Sequence, residues 1–449
     1  MSFDSLFAWR ESIEGIQTAV WPPMQAYLSW LSRVLTGSPG GFFFGQVFVL
    51  LFNSALILSL FLRRLISLVV AFLIFCAMFA YFPSMMGVLG TLWKDVATTS
   101  FAVLGVALWL VAVRRVSYGW LAAAVVALSL SVAMRYNALP LILPLMVLMV
   151  VSPFGGIERP RARSMTAAML AIGVVAAFAS TVWRLPDLHQ LPSSRGFAGV
   201  EEFDLIGITA CSNQDYIPLG MSSGQPITPT QVRILYDPRH VQMAFRLVPG
   251  IPRMTEGDAG GAVAQAWRKA VPANLGCYLA HRTNVFVEQM GLAQGELFYP
   301  THGGIDDNPW GIKLAHPALS QRFNAYVAEV APEVMHRPAW LYLLATIAVG
   351  DLVAIRANGR VVLASLLLGA LVYPATLFFV GPAADARYIF PPNVFCALIL
   401  VLSPLLAARA ALQANGVNRR DLATAMRDRF SGAATTLGGS TRADERKGA

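Results

Sequence analysis

Nine apolar stretches dominate this chain, near 42–62, 65–82, 97–113, 119–134, 138–152, 165–183, 338–355, 361–380 and 393–409. A bilayer core of roughly 30 Å asks for about 20 such residues per helix. Inside lipid each backbone polar group must find its partner within the segment, so repeated runs of this kind predict a helical bundle. The runs at 119–134 and 138–152 are short and need local thinning or burial among their neighbours. Composition agrees: 56% of residues are hydrophobic and 13% charged, where soluble domains carry about a quarter charged. A soluble enzyme, a disordered chain and a disulfide-dense secreted module are excluded.

The basic residues orient the bundle. Arg63 and Arg64 follow the first run, Arg114 and Arg115 the third, Arg159, Arg161 and Arg163 the fifth, and Arg356 and Arg360 the seventh. The tail beyond Arg409 adds Arg419, Arg420, Arg427, Arg429, Arg442, Arg446 and Lys447. All five sites fall on one side, which the positive-inside rule makes cytoplasmic. The net charge of +9 therefore reflects membrane topology and not a nucleic-acid partner. Residues 410–449 read as a disordered basic tail attracted to anionic lipid headgroups. The expected organisation is an outer N-terminal segment (1–41), six spans (42–183), a periplasmic domain of mixed composition (184–337), three spans (338–409) and the tail. A bacterial inner membrane with its active face in the periplasm is the matching location.

The N-terminal segment does not read as a signal peptide, since Asp4, Glu11 and Glu14 occupy the stretch where a basic and then apolar region is expected. Either residues 1–40 cross as a short tail, or the protein begins upstream with one more span. Met24, Tyr27, Leu28, Leu31, Val34 and Leu35 recur at helical spacing and predict an amphipathic helix in the outer interface.

Only Asp351 places a charge inside a run, whereas ion-coupled transporters usually carry charges or broken helices at the midplane. Charges gather instead at the outer ends: Lys94 with Asp95, Arg135, and Asp385 with Arg387. Three sequence-distant groups at one interface suit an anionic amphiphile, with arginines on a phosphate and a carboxylate as base or metal ligand. The plainer reading is a set of solvated helix ends. Arg135 and Arg387 resist it, because the positive-inside bias supplies no arginines on this face. The long outer segment holds all six histidines, His189, His240, His281, His302, His316 and His336, without zinc-type spacing. A helix through Ala262–Ala270 and a second opened by Pro272 are expected, the latter bearing His281 and Arg282. Cys76 and Cys396 fall inside runs. Cys211 and Cys277 share the oxidising side and are expected to pair, the alternative being two buried thiols.

Trp93-Lys94-Asp95 opens a run after Leu89-Gly90-Thr91-Leu92, and Arg135-Tyr136-Asn137 follows a later one. Tyr278-Leu279-Ala280-His281-Arg282 lies late in the outer segment, and Asp385-Ala386-Arg387-Tyr388 opens the last run. In this order and on one face, over roughly residues 20–405, the motifs resemble the bacterial membrane glycosyltransferases of the GT-C superfamily, relatives of the protein mannosyltransferases. The resemblance implies a GT-C-like fold and transfer of a sugar from a polyprenyl-phosphate donor to an acceptor outside the cytoplasmic membrane. Lys94, Arg135, Arg282 and Arg387 would hold the donor phosphate, and a divalent cation could replace one arginine. Trp93, Tyr136, Asn137, His281, Asp385 and Tyr388 would support them. The acid of the family's first outer loop has no match beside Trp21-Pro22-Pro23, where only Glu11 and Glu14 stand nearby. Asp95 is then the expected base and Glu14 its substitute. A polysaccharide polymerase or ligase, and a non-catalytic assembly or transport protein, remain open.

Overall fold

Long apolar runs without a preferred polar face form helices here that end where proline, glycine or a charge interrupts them. The computed structural model describes residues 1–414 except 16–21, 63, 156, 158, 180–196, 223, 240–260, 294, 296 and 298–299. Arg63, Gln17–Trp21, His189, His240 and the basic tail beyond 414 thus lie outside the described residues. Helices α1 (Phe3–Glu14) and α2 (Met24–Thr36) precede α3 (Gly40–Phe61), α4 (Leu65–Tyr81), α5 (Pro83–Leu89) and α6 (Lys94–Arg115). Next come α7 (Tyr118–Met134), α8 (Leu139–Val151) and α9 (Pro160–Ala179). A second group holds α10 (Ala198–Ser212), α11 (Pro229–Leu235), α12 (Ala262–Ala273), α13 (Leu275–Gln289) and α14 (Pro317–Val330). The chain returns through α15 (Ala339–Ala354), α16 (Arg360–Val380) and α17 (Phe390–Ala414).

Among the described residues five helices are long and apolar enough to cross a membrane: α3, α6, α9, α16 and the segment Ala386–Gln413. The pair α4–α5 makes a sixth if counted together, although it bends by 97°. Pro83 explains the bend, because it cannot continue the ladder of α4 yet suits the first turn of α5. The remaining apolar helices, Tyr118–Met134, Tyr136–Val151 and Ala339–Ala354, are shorter. The first two are cut short by the extended backbone at Arg135.

Helix α6 is the centre of the bundle, 67% buried along its apolar window against 22% for α9. It packs between α3 and α7 and against α17, while α8 packs on α16 and α15 on α16 and α17. Gly369 of α16 permits the close approach of α8, since a Cβ there would stand 1.9 Å from the Leu141 carbonyl oxygen. Large apolar side chains face outward, among them Phe44, Phe48 and Phe52 of α3 and Ile172 and Val175 of α9. Water would oppose such a belt, and lipid accepts it. Helix α2 follows the same logic, burying Gln25, Ser29 and Ser32 and exposing Trp30, Leu31, Val34 and Leu35.

Helices α10–α13 share a core of Leu205, Ile208, Met221, Val232 and Val263, while Val327 of α14 packs with Leu297 and Ala331 and the helix lies against α5. The α10–α14 group is helical among the described residues, so its mixed composition does not bring in a sheet. The break between α12 and α13 falls at Asn274, not at Pro272, which lies in the last turn of α12. A disulfide joins Cys211 at the end of α10 to Cys277 at the start of α13, with Cα atoms 5.6 Å apart.

Candidate functional site

Four chain segments meet at one end of the bundle. Trp93 is extended and opens α6 at Lys94. Arg135 is extended and ends α7, and Tyr136–Ala138 form a single tight turn before α8. Asp385 caps the turn that leads into α17, its carboxylate accepting from the Arg387 backbone N–H at 3.1 Å. Helix α1 lies across these ends. Trp93 Nε1 donates to Ser2 Oγ at 2.6 Å, and Ser5 Oγ and Gln25 Nε2 both donate to the Leu92 carbonyl, at 3.1 and 3.0 Å.

Seven charged side chains gather there: Asp4, Glu11, Lys94, Asp95, Arg135, Asp385 and Arg387. Asp95 forms an ion pair with Arg135, whose Nε donates to Asn137 Oδ1 at 2.7 Å and whose guanidinium lies 4.5 Å from the Tyr388 ring centre. Arg387 bridges two carboxylates, pairing with Asp4 and, through Nε, with Asp385 at 2.8 Å. It also packs over the rings of Trp93 and Tyr388, at 5.1 and 5.2 Å. Lys94 shares the electrostatic field of Asp4, Glu11, Arg135 and Arg387. Tyr136 stacks on Phe178 with ring centres 5.1 Å apart. Burial alone would raise the Asp4 pKa, but Arg387, Lys94 and Arg135 outweigh it and hold the carboxyl below its ordinary value. At Asp385 burial prevails over Arg387 and pushes the carboxyl up.

The two ion pairs differ in access. Asp95 and Arg135 side chains are 0% and 8% exposed; Asp4 and Arg387 keep 18% and 14%. Asp95, the expected base, has a sealed carboxylate held by the Arg135 guanidinium. Glu14, the expected substitute, stands apart from the cluster. It pairs with Arg10 one turn away, at 2.7 Å on the exposed side of α1. Asp4 is a carboxylate of this cluster that the sequence reading did not place there. Its partner lies 383 positions away, and no local pattern marks it.

Arg282 and His281 do not join this cluster, contrary to the expected phosphate grip. Arg282 is fully buried. Its Nε pairs with Asp204 at 2.7 Å, and its Nη1 donates to the Gly381 carbonyl at 2.6 Å. Trp267 Nε1 donates to the second Asp204 oxygen at 2.7 Å. His281 Nε2 lies 3.6 Å from Asp204, and its Nδ1 meets the Tyr236 hydroxyl at 3.1 Å. Burial, opposed by Arg282, lifts the Asp204 pKa to about 6. Burial, aided by Arg282, lowers the His281 pKa to about 3. The Ala384 N–H donates to the Arg239 carbonyl at 2.7 Å. Arg282 and Arg239 thus brace residues 381–384, the strand of chain that delivers Asp385 and Arg387 to the cluster.

Among the described residues no three His, Cys, Asp or Glu side chains group as a metal site would require. Comparison with protein families, with curated proteins and with solved structures finds no match for this chain.

Proposed function

We propose that this chain is a polytopic membrane glycosyltransferase that moves a sugar from a polyprenyl-phosphate donor to an acceptor on the periplasmic face of a bacterial inner membrane. In this reading all nine apolar helices cross or enter the bilayer in a GT-C-like bundle, and the α10–α14 group stands outside. The observation that carries it is the partly open Asp4–Arg387–Asp385 bridge beside Lys94 and the Trp93 and Tyr388 rings. Cations of this kind stabilise a departing phosphate, while aromatic faces suit a sugar.

The step needs one base and one anion seat. The acceptor hydroxyl loses its proton to Asp4, its oxygen bonds to the anomeric carbon, and the bond from that carbon to the donor phosphate breaks. The leaving polyprenyl phosphate carries the electron pair and is held by Arg387 and Lys94. Asp4 is suited to this work because its neighbours keep it ionised, and Asp385 keeps Arg387 oriented.

The test is release of polyprenyl phosphate from a panel of polyprenyl-phosphate sugars, with an acceptor alcohol present, by the reconstituted protein. Asp4→Asn should slow release about 10²–10⁴-fold, the usual weight of a general base, without changing the melting temperature. Undiminished release by Asp4→Asn would reject the assignment. A non-catalytic assembly or transport role is the second reading, favoured by the mutual neutralisation of Asp95 and Arg135.

A further inference from the structure

A cleft of about 240 Å³ opens between α2, α3 and α6, beside the charged cluster but separate from it. Its walls are apolar: Leu28 and Leu35 of α2, Gly45 and Val49 of α3, and Phe101 of α6. Four polar side chains also line it, Ser32, Thr36, Ser100 and Gln46; the three hydroxyls donate to backbone carbonyls, which leaves Gln46 of α3 as the one with an unmet group. This side chain is 4% exposed. Its Nε2 donates to the Thr91 carbonyl at 2.6 Å, so the amide has one orientation; turning it over would set two acceptors against each other. The remaining atom, Oε1, is buried and accepts no hydrogen bond.

A buried carbonyl oxygen in apolar walls asks for a donor. An ionised phosphate cannot answer, because it offers acceptors only. A hydrocarbon cannot answer either. A hydroxyl at the head of an apolar chain meets both demands of the cleft. The volume equals about eight waters at roughly 30 Å³ each, which admits one chain and not a pair.

We propose that this cleft binds a single-chain, hydroxyl-bearing amphiphile, with the chain along Leu28, Leu35, Val49 and Phe101 and the hydroxyl donating to Gln46 Oε1. The site stands whether or not the chain transfers sugars. The cleft is tied to the cluster through Gln46, which holds the Thr91 carbonyl two residues before Trp93, and the Ser100 hydroxyl holds the Gln46 carbonyl at 2.8 Å. A ligand seated here presses on the turn that carries Trp93 and Lys94.

Glycine at position 45 provides a clean test. A Cβ built there meets nothing within 4 Å, so Gly45→Leu adds bulk to the cleft lining without a clash at Cβ. The full chain in phosphatidylcholine nanodiscs would be titrated with 1-dodecanol and with its methyl ether, which keeps the chain and the oxygen but has no donor. The alcohol should bind about tenfold more tightly than the ether, the weight of one hydrogen bond at a buried acceptor. Gln46→Met should remove that preference, and Gly45→Leu should remove binding of both with an unchanged melting temperature. Equal binding of alcohol and ether by the unaltered chain would overturn the proposal, since the cleft would then behave as bulk lipid or hold water on Gln46. So would retention of the alcohol by Gly45→Leu.

Discussion

The cluster at the end of the bundle and the network beneath α10 are built from the same parts: aspartates, arginines and aromatic rings. Arg387 lies over Trp93 and Tyr388 and bridges Asp4 and Asp385. Arg282 lies 5.8 Å from the Tyr278 ring centre and joins Asp204 to a backbone carbonyl. Access separates them. The Asp204 and Arg282 side chains are both 0% exposed, whereas Asp4 and Arg387 reach the surface. A sealed pair can only hold chain segments together; a partly open one can exchange its partner for a ligand. The two are also in series, because Arg282 grips Gly381 and the chain from there carries Asp385 and Arg387. The closed network is therefore the brace of the open one.

The largest expected effect breaks this comparison directly. Arg282→Leu leaves Asp204 buried without its cation and should cost about 3–5 kcal/mol of stability. Arg387→Leu leaves Asp4 with a route to water and leaves the buried Asp385 to take up a proton, so it should cost less, while abolishing donor turnover. Chemical unfolding of the two variants in parallel measures the contrast. Equal losses would mean that both networks are structural, and the reading of Arg387 as an anion seat would fall.

The sequence showed the helices because a span must be apolar along its whole length, which leaves a signal in every residue. It also placed Lys94, Asp95, Arg135, Asp385 and Arg387 at one end, since each sits at the boundary of an apolar run. The structure adds who pairs with whom. Arg135 with Asp95, Arg387 with Asp4 and Arg282 with Asp204 are partners across helices, and no spacing rule encodes such pairing. Arg282 was assigned to the donor through its neighbours in the string Tyr278–Arg282, yet the face it occupies on α13 points at α10. The docking of α1 onto Trp93 and Leu92 was equally silent, being fixed by contacts far along the chain.

A smaller effect tests how tightly the brace is packed. Gly207 of α10 faces His281, and a Cβ there would lie 2.3 Å from the imidazole Cγ. Gly207→Ala should cost about 1–3 kcal/mol as an overpacked site. Gly276 of α13 has nothing within 4 Å of the same position, so Gly276→Ala should be neutral or stabilise by up to about 1 kcal/mol. Thermal unfolding of the two alanine variants reads the difference directly. A tolerant Gly207 would mean that His281 moves easily, and the network would not be rigid enough to brace Arg387.

The smallest effect lies in the proton balance of the closed network. The Asp204 pKa rises from 3.8 to about 6 on folding, so the native state binds its proton more tightly than the unfolded chain does. Taken alone, this contribution is present in full below about pH 4 and is lost as pH climbs to 6. His281 falls from 6.5 to about 3, so the unfolded chain holds its proton more tightly. That term works in the other direction, and stability rises with pH between 3 and 6.5. From pH 4 to 6 each state then carries one proton on the pair, on Asp204 when folded and on His281 when unfolded. The slopes cancel, and the pair contributes a level stretch. The other charges facing Asp204 are Arg282 and Glu201, and they are common to any variant compared. Replacing His281 by Gln removes one side of the balance. The difference in unfolding free energy between His281→Gln and the unaltered chain should then grow as pH rises from 4 to 6, by up to about 1.4 kcal/mol per unit. A difference that stays constant across that window would show that Asp204 and His281 do not exchange their proton on folding, and that the sealed network titrates no differently from the open one.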